Sequence, residues 1–344
     1  MRWVVLVGLV LGACSDEEHT LRATTREELG ALLFDDPRLS EPAGQACSDC
    51  HGARAGFADP EDDRTSVGVI AGRFGPRNAQ SAMYTGFVPP LHNDPVTGAP
   101  IGGLFWDGRA SSLEEQAAGP LLNPLEMNNP DKASVAAKAR SAYKRELEHV
   151  FGPDAVKTPD TTFAHVTEAL GAFQRTAQLA PFSSKYDHVL TGRATLSDAE
   201  ARGLAIFEDP ARGNCASCHP SRPGANGTPP LFTTFAYANI GVPKFNDSPF
   251  LHLPSQLNPD GEDFIDRGLA KTTGKPEHEG MFRVPSLRNV ARTTPYGHNG
   301  YFRRLDEMVA FSSPAKAPLT APEIADLVAF LNTLTDAEVL AAQP

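Results

Sequence analysis

Thiols, positive charge and long apolar runs are all scarce in this chain. Only 5 of its 344 residues are cysteine; four fall in two tight clusters and the fifth, Cys14, stands alone near the amino terminus, so none is left over for a disulfide. Lysine and arginine total 31 against 42 aspartates and glutamates, a formal net charge of −11. That balance argues against nucleic-acid binding and fits a face that a basic redox partner would approach, or simply keeps the chain in solution. The one conspicuous apolar run, Trp3 to Leu11 behind Arg2, is too short to span a bilayer and reads as an export signal. Alternation of apolar and polar residues nowhere extends far enough for a substantial sheet. What remains is a mainly α chain, long enough for two domains, each burying its own core.

The two cysteine clusters are one motif used twice: Cys47-Ser48-Asp49-Cys50-His51 and Cys215-Ala216-Ser217-Cys218-His219. Two thiols three residues apart can each add to one vinyl group of a porphyrin, and the following imidazole is placed to coordinate the iron. Each copy therefore reads as a covalent haem c site, with His51 and His219 as iron ligands. Zinc would need four ligands converging on one ion, and a histidine directly after the second cysteine is poorly placed for that. One motif falls in each half. Export agrees with this reading, since bacterial haem c attachment is completed outside the cytoplasmic membrane. Leu11-Gly12-Ala13-Cys14 has the form of a bacterial lipoprotein cleavage site, which makes Cys14 the lipidated first residue of a periplasmic, membrane-anchored protein. A lone cysteine inside a signal peptide cut further on is the alternative. Residues 1–13 are then the signal peptide and 14–24 a polar tether.

Along the chain, Thr25-x-x-Glu28 is a capping box that starts a helix carrying Leu29, Leu32 and Leu33, which stops before Pro37. Gly52 to Gly103 is dense in Gly, Pro and Asp and reads as loops. Ser111-x-x-Glu114 and Ser112-x-x-Glu115 mark another start; Phe163, Val166, Leu170, Phe173 and Ala177 share a helix face that ends near Pro181. A domain boundary falls near Thr191 to Thr195, giving units 25–192 and 193–344. Ser197-x-x-Glu200 caps a helix with Leu204, Ile206 and Phe207 that leads into the second motif, so the order capped helix, loop, C-x-x-C-H occurs twice. Pro220 to Pro285 is again irregular. Thr320-x-x-Glu323 opens a terminal helix with an Ile324, Leu327, Val328, Leu331 stripe. The expected architecture is mainly α: two cytochrome c-like haem domains with long irregular loops.

Phe105-Trp106-Asp107-Gly108-Arg109, Glu115-Gln116-x-x-Gly119-Pro120 and Asn123-Pro124-x-Glu126-Met127 resemble the bacterial dihaem cytochrome c peroxidase and MauG family. Glu28-Leu29-Gly30, Asp36-Pro37-Arg38-Leu39-Ser40, Gly75-Pro76-Arg77-Asn78, Pro285-Ser286-Leu287-Arg288-Asn289-Val290 and Thr294-Pro295-Tyr296-Gly297-His298-Asn299-Gly300 extend the likeness from about Thr25 to Leu334. The resemblance implies that hydrogen peroxide is reduced at the first haem with electrons relayed from the second. It makes Glu126 the acid–base carboxylate, which takes a proton from the near oxygen of peroxide and returns it to the far one. It makes Gln116 a hydrogen-bonding amide in the same pocket, and Trp106 an indole relay between the haems. It implies a calcium ion held by Asn78, Thr293 and Pro295. Its partners would be a small electron donor, a c-type cytochrome or cupredoxin, with no nucleic acid and with homodimer formation left open.

Two departures stand out. Many such peroxidases carry a second histidine that blocks the peroxide haem; it would fall near Gly68-Val69, and no histidine lies between His51 and His92. The expectation is an open first haem with His51 as its one protein ligand, with His92, in the long Gly86–Gly103 link, as the reserve. The usual Met or Tyr ligand of the second haem falls on Ser312; Met308, one helical turn earlier, is the substitute, with Met281 and His298 behind it. The missing histidine favours a MauG-like oxidase of a partner protein, and the absent tyrosine at Ser312 opposes it. From another class, an electron-transfer cytochrome without a catalytic step has no use for the Gln116 and Glu126 pair.

Overall fold

The computed structural model describes residues 21–224, 226–313 and 318–342; Cys14, the signal peptide and most of the tether lie outside them. The described chain is mostly helical. Its helices are α1 (Arg26–Phe34), α2 (Cys47–Cys50), α3 (Leu113–Leu122), α4 (Lys132–Phe151), α5 (Pro159–Gln174), α6 (Lys185–Leu190), α7 (Asp198–Glu208), α8 (Leu269–Thr273), α9 (Leu305–Ser312), α10 (Ala321–Asn332) and α11 (Ala337–Ala341). Strand is confined to two antiparallel pairs: β1 (His92–Asn93) with β2 (Pro100–Ile101), and β3 (Tyr237–Ala238) with β4 (Phe282–Arg283).

Local chemistry starts the helices where side-chain oxygens cap them. Thr25, Ser112, Ser197 and Thr320 each accept a backbone N–H from the third helical residue, and Glu28, Glu200 and Glu323 close full capping boxes. Thr158 caps α5 with Pro159 in its first turn, four residues upstream of the expected apolar face, and the helix ends at Gln174 rather than near Pro181. α4 is kinked at Tyr143 (φ −139°, ψ 24°) and has no capping box: Asp131 caps it, and its buried residues are Val135, Ala136, Ala139, Tyr143, Glu146 and Leu147.

Among the described residues packing yields two large apolar cores, beside two small clusters around Leu104 and Phe250. The first joins Leu29 and Leu33 of α1, Leu121 of α3, Leu147 of α4, and Val166 and Leu170 of α5. The second joins Tyr186 of α6, Phe207 of α7, Phe232, Val309 of α9, and Leu327 and Phe330 of α10. Each core turns on a glycine at a helix crossing. A Cβ on Gly30 would lie 2.0 Å from Ala169 O of α5, and one on Gly203 would lie 2.0 Å from Asp326 O of α10, so only glycine lets the two helix pairs approach. α10 is not the last helix: α11 follows and returns Val339 to the first core.

Candidate functional site

α2 is a single helical turn. Ala46 N–H donates to Asp49 Oδ2 (2.8 Å) and His51 N–H to Cys47 O (2.9 Å), which places Cys47, Cys50 and His51 on one side. The second motif forms a tighter turn, and His219 N–H again reaches Cys215 O at 2.9 Å. Each imidazole is fixed through Nδ1 by a backbone carbonyl: His51 to Phe57 O at 3.1 Å, His219 to Phe232 O at 2.7 Å. Donation from Nδ1 leaves the Nε2 lone pair for a metal. Both carbonyls belong to phenylalanines in the left-handed region, φ 56° at Phe57 and 52° at Phe232. A bulky residue rarely adopts that conformation, and the strain is repeated where the histidine must be aimed. Burial lowers both histidine pKa values, His219 to about 4, which keeps the imidazoles neutral and able to ligate.

These histidines open into two cavities. One, of about 200 Å³, is lined by Cys47, Cys50, His51, Gln116, Glu126 and Trp106. The other, of about 750 Å³, is lined by Cys215, Cys218, His219, His298, Met308 and Ser312. They share a wall that includes Asn78, Gln80, Trp106 and Arg283. The donor set suits two porphyrins rather than zinc. Among the described residues no group of three or more His, Cys, Asp and Glu is arranged to hold a metal ion, so the four converging ligands that a structural zinc requires are not assembled there.

α3 brings Gln116 to the first cavity, and the turn after it brings Glu126. Asn123 builds that turn: its Oδ1 accepts from Leu125 N–H at 3.0 Å, and its Nδ2 donates to Glu126 Oε1 at 2.6 Å. Burial raises the pKa of Glu126; the Asn123 hydrogen bond and then the charge of Arg109 oppose it. The backbone of Glu126 is held from behind by the segment at the histidine-free position. Val69 N–H donates to Glu126 O at 2.9 Å, and a Cβ on Gly68 would lie 2.3 Å from Leu125 O.

Trp106 Nε1–H donates to Asn78 O at 3.0 Å, and Trp106 O accepts from Arg283 N–H at 2.9 Å. The next residue, Asp107, is buried and paired with Arg77 and Arg109, both at 2.8 Å. Arg77 in turn bonds both oxygens of Asp266. Asn78, Thr293 and Pro295 all line the larger cavity. His92 is exposed on β1 with Nδ1 2.8 Å from Pro90 O, and it does not line the His51 cavity; the long link that carries it is the β1–β2 hairpin. Met308 and Ser312, one turn apart on α9, face the His219 cavity together with His298, which is stacked on Phe282 at 3.6 Å; Met281 does not line it. Asn123, Arg77, Asp107 and Arg283 carry no sequence signal of these contacts beyond membership of the quoted motifs or proximity to them.

A family model described as di-haem cytochrome c peroxidase matches residues 24–195, half of the chain. The chain belongs to that family. It is an oxidoreductase of the cytochrome c peroxidase kind, with haem as its cofactor. It is 37% identical to the methylamine utilization protein MauG of Paracoccus denitrificans, over 90% of this chain and 88% of that protein. It is 31% identical to the cytochrome c551 peroxidase of Nitrosomonas europaea, over 94% and 85%. Among solved structures, the diheme peroxidase BthA from Burkholderia thailandensis superposes with a TM-score of 0.80 at 35% identity, covering 93% of this chain and 88% of that one.

Proposed function

We propose that this protein reduces hydrogen peroxide to water at a haem c carried by Cys47, Cys50 and His51. Electrons come from a second haem c on Cys215, Cys218 and His219, in two cytochrome c-like units, 25–192 and 193–344. When bound, the haem supplies the iron that polarises peroxide and conducts electrons. The rest is the work of side chains. Glu126 carries the proton from the near to the far peroxide oxygen, and burial, which raises its pKa, strengthens its hold on that proton between the two transfers. Gln116, on the same cavity, orients the peroxide by hydrogen bonding, and Asn123 keeps the Glu126 carboxyl directed. Trp106, which lines both cavities, passes electrons between them. Met308, on the His219 cavity, would be the second iron's further ligand, Asn78, Thr293 and Pro295 would hold calcium, and the donor would be a small c-type cytochrome or cupredoxin. The chain is a periplasmic lipoprotein anchored through Cys14; among the described residues no helix is long and apolar enough to cross a membrane.

The observation that carries this reading is the convergence of His51, Gln116 and Glu126 on one cavity. Turnover of hydrogen peroxide with a reduced small c-type cytochrome tests it; a loaded protein that leaves peroxide untouched refutes it. The Gly68–Val69 segment, packed backbone to backbone on Leu125 and Glu126 and bearing no histidine, supports a first iron open as isolated. Paramagnetic resonance of the oxidised protein then shows a high-spin component. The same feature favours a second reading, a MauG-like oxidase of a partner protein. Stopped-flow spectra after peroxide separate the two: without donor, a peroxidase decays to its resting spectrum with no change in an added protein.

A further inference from the structure

Three arginines that line the two cavities are withdrawn from solvent, Arg77 partly buried and Arg283 and Arg288 fully so, and two of them are neutralised. Arg77 is held by Asp107 and Asp266, and Arg288 by both oxygens of Asp187 at 2.8 and 2.9 Å. Arg283 on β4 is different. It is 5% exposed, and among the described residues no carboxylate pairs with it. Its Nε lies 3.3 Å from Phe105 O, and one terminal nitrogen 3.3 Å from Gln80 Oε1, both long contacts to neutral acceptors. Tyr237, its partner across the strand pair, sends its hydroxyl to Gly102 O instead, and burial keeps that phenol protonated. Asp107, which follows the Phe105 and Trp106 carbonyls that Arg283 contacts, is already shared by Arg77 and Arg109. Burial lowers the guanidinium only to about 10, so it is charged at neutral pH. A buried cation without a counter-charge is costly, and proteins pair such groups.

Arg283 also occupies a particular place. Its side chain lines both cavities, and its N–H holds the carbonyl of Trp106. We propose that Arg283 is the protein's counter-charge for a carboxylate of the porphyrin, a haem propionate reaching the wall between the two cavities, and that it thereby positions that haem and sets its potential. The inference rests on the reading that both cavities hold haem. A paired propionate stays ionised but electrically balanced. Remove the guanidinium and the uncompensated negative charge favours the ferric over the ferrous iron, because the ferric form carries one more positive charge. The freed carboxylate, facing protein rather than water, also gains affinity for protons.

The test is spectroelectrochemical titration of both haems in the full-length wild-type protein and in R283K, R283Q and R283M, with haem per chain counted for each. The charge-removing variants lower the reduction equilibrium constant of at least one haem by about tenfold, ~59 mV for a one-electron couple. Their potential falls with rising pH through the neutral range, while R283K stays within twofold of wild type. Loss of one haem from R283Q and R283M but not from R283K supports the same conclusion. A change below twofold in loaded R283Q and R283M overturns it, and so does equal loss of haem or folding in all three variants, which marks Arg283 as packing. A wild-type protein with fewer than two haems, or one inert towards peroxide, instead contradicts the reading of the cavities themselves.

Discussion

Glu126→Gln removes a titrating proton and little else. Gln retains an oxygen in the place of Oε1, so the 2.6 Å hydrogen bond from Asn123 Nδ2 survives, as does the backbone contact from Val69. What disappears is the group able to accept one peroxide proton and deliver it to the other oxygen. General acid–base transfer contributes about 10²–10⁴ in rate, equivalent to ~3–5 kcal/mol of barrier, and E126Q should lose turnover by that amount with both haems still bound. The pH dependence follows from the sign of the shift. Burial raises the carboxyl's pKa, and the base is active when deprotonated, so wild-type turnover rises with pH along a limb displaced above the ordinary glutamate range; E126Q lacks that limb. Stability moves the other way. A carboxyl with a raised folded-state pKa favours the fold below its unfolded pKa and loses that contribution as pH rises through the folded value. At pH 7 E126Q therefore melts no lower than wild type, and the difference closes on acidification. Steady-state peroxide reduction from pH 4 to 8, with thermal melts on the same samples, measures all three. Turnover within fivefold of wild type in a loaded E126Q refutes the assignment.

Asn123→Ala removes the hydrogen bond that opposes the upward shift of Glu126, so the acid limb of the pH–rate profile moves to higher pH while the plateau falls only as far as the carboxyl is misdirected. Gly203→Ala drives a Cβ into Asp326 O; overpacking against a backbone oxygen outweighs alanine's better helix propensity and costs about 2 kcal/mol, read as a lower Tm. Arg288→Met strands the buried Asp187 carboxylate and costs about 3–5 kcal/mol in denaturant titration, most of it recovered in the double variant with Asp187→Asn. Met308→Ala abolishes the thioether-to-iron absorption band of the second haem; an unchanged band removes Met308 as the ligand.

How much of this was legible in the residues follows the range of the interactions. Caps were legible because Thr25, Ser197 and Thr320 bond partners three residues away, and the thiol–imidazole clusters because one turn of chain contains them. α4 escaped: its buried face mixes the small Ala136 and Ala139 and the charged Glu146 with Val135, Tyr143 and Leu147, so the apolar period is faint, and Asp131 caps it without a glutamate at the third position. The β1–β2 hairpin appeared only as surplus length around His92. Gly30 and Gly203 read locally as weak points in helices, whereas each is what permits a close crossing 139 or 123 residues away in sequence, a relation that no local pattern encodes.

The same reasoning explains why the wall between the cavities was the least legible part. Arg77 reaches Asp107 across 30 residues and Asp266 across 189, through loops without periodicity, and Arg283 reaches Phe105 across 178. A compact wall built from such distant pieces stays rigid only if its charges are balanced, because each unpaired charge would draw in water and loosen the loops. Two carboxylates balance Arg77, one balances Arg288, and among the described residues none pairs with Arg283. The wall is therefore incomplete as polypeptide. Its last counter-charge has to arrive with whatever fills the cavities, which makes the indole of Trp106 and the carbonyl that Arg283 holds part of a structure finished only on loading.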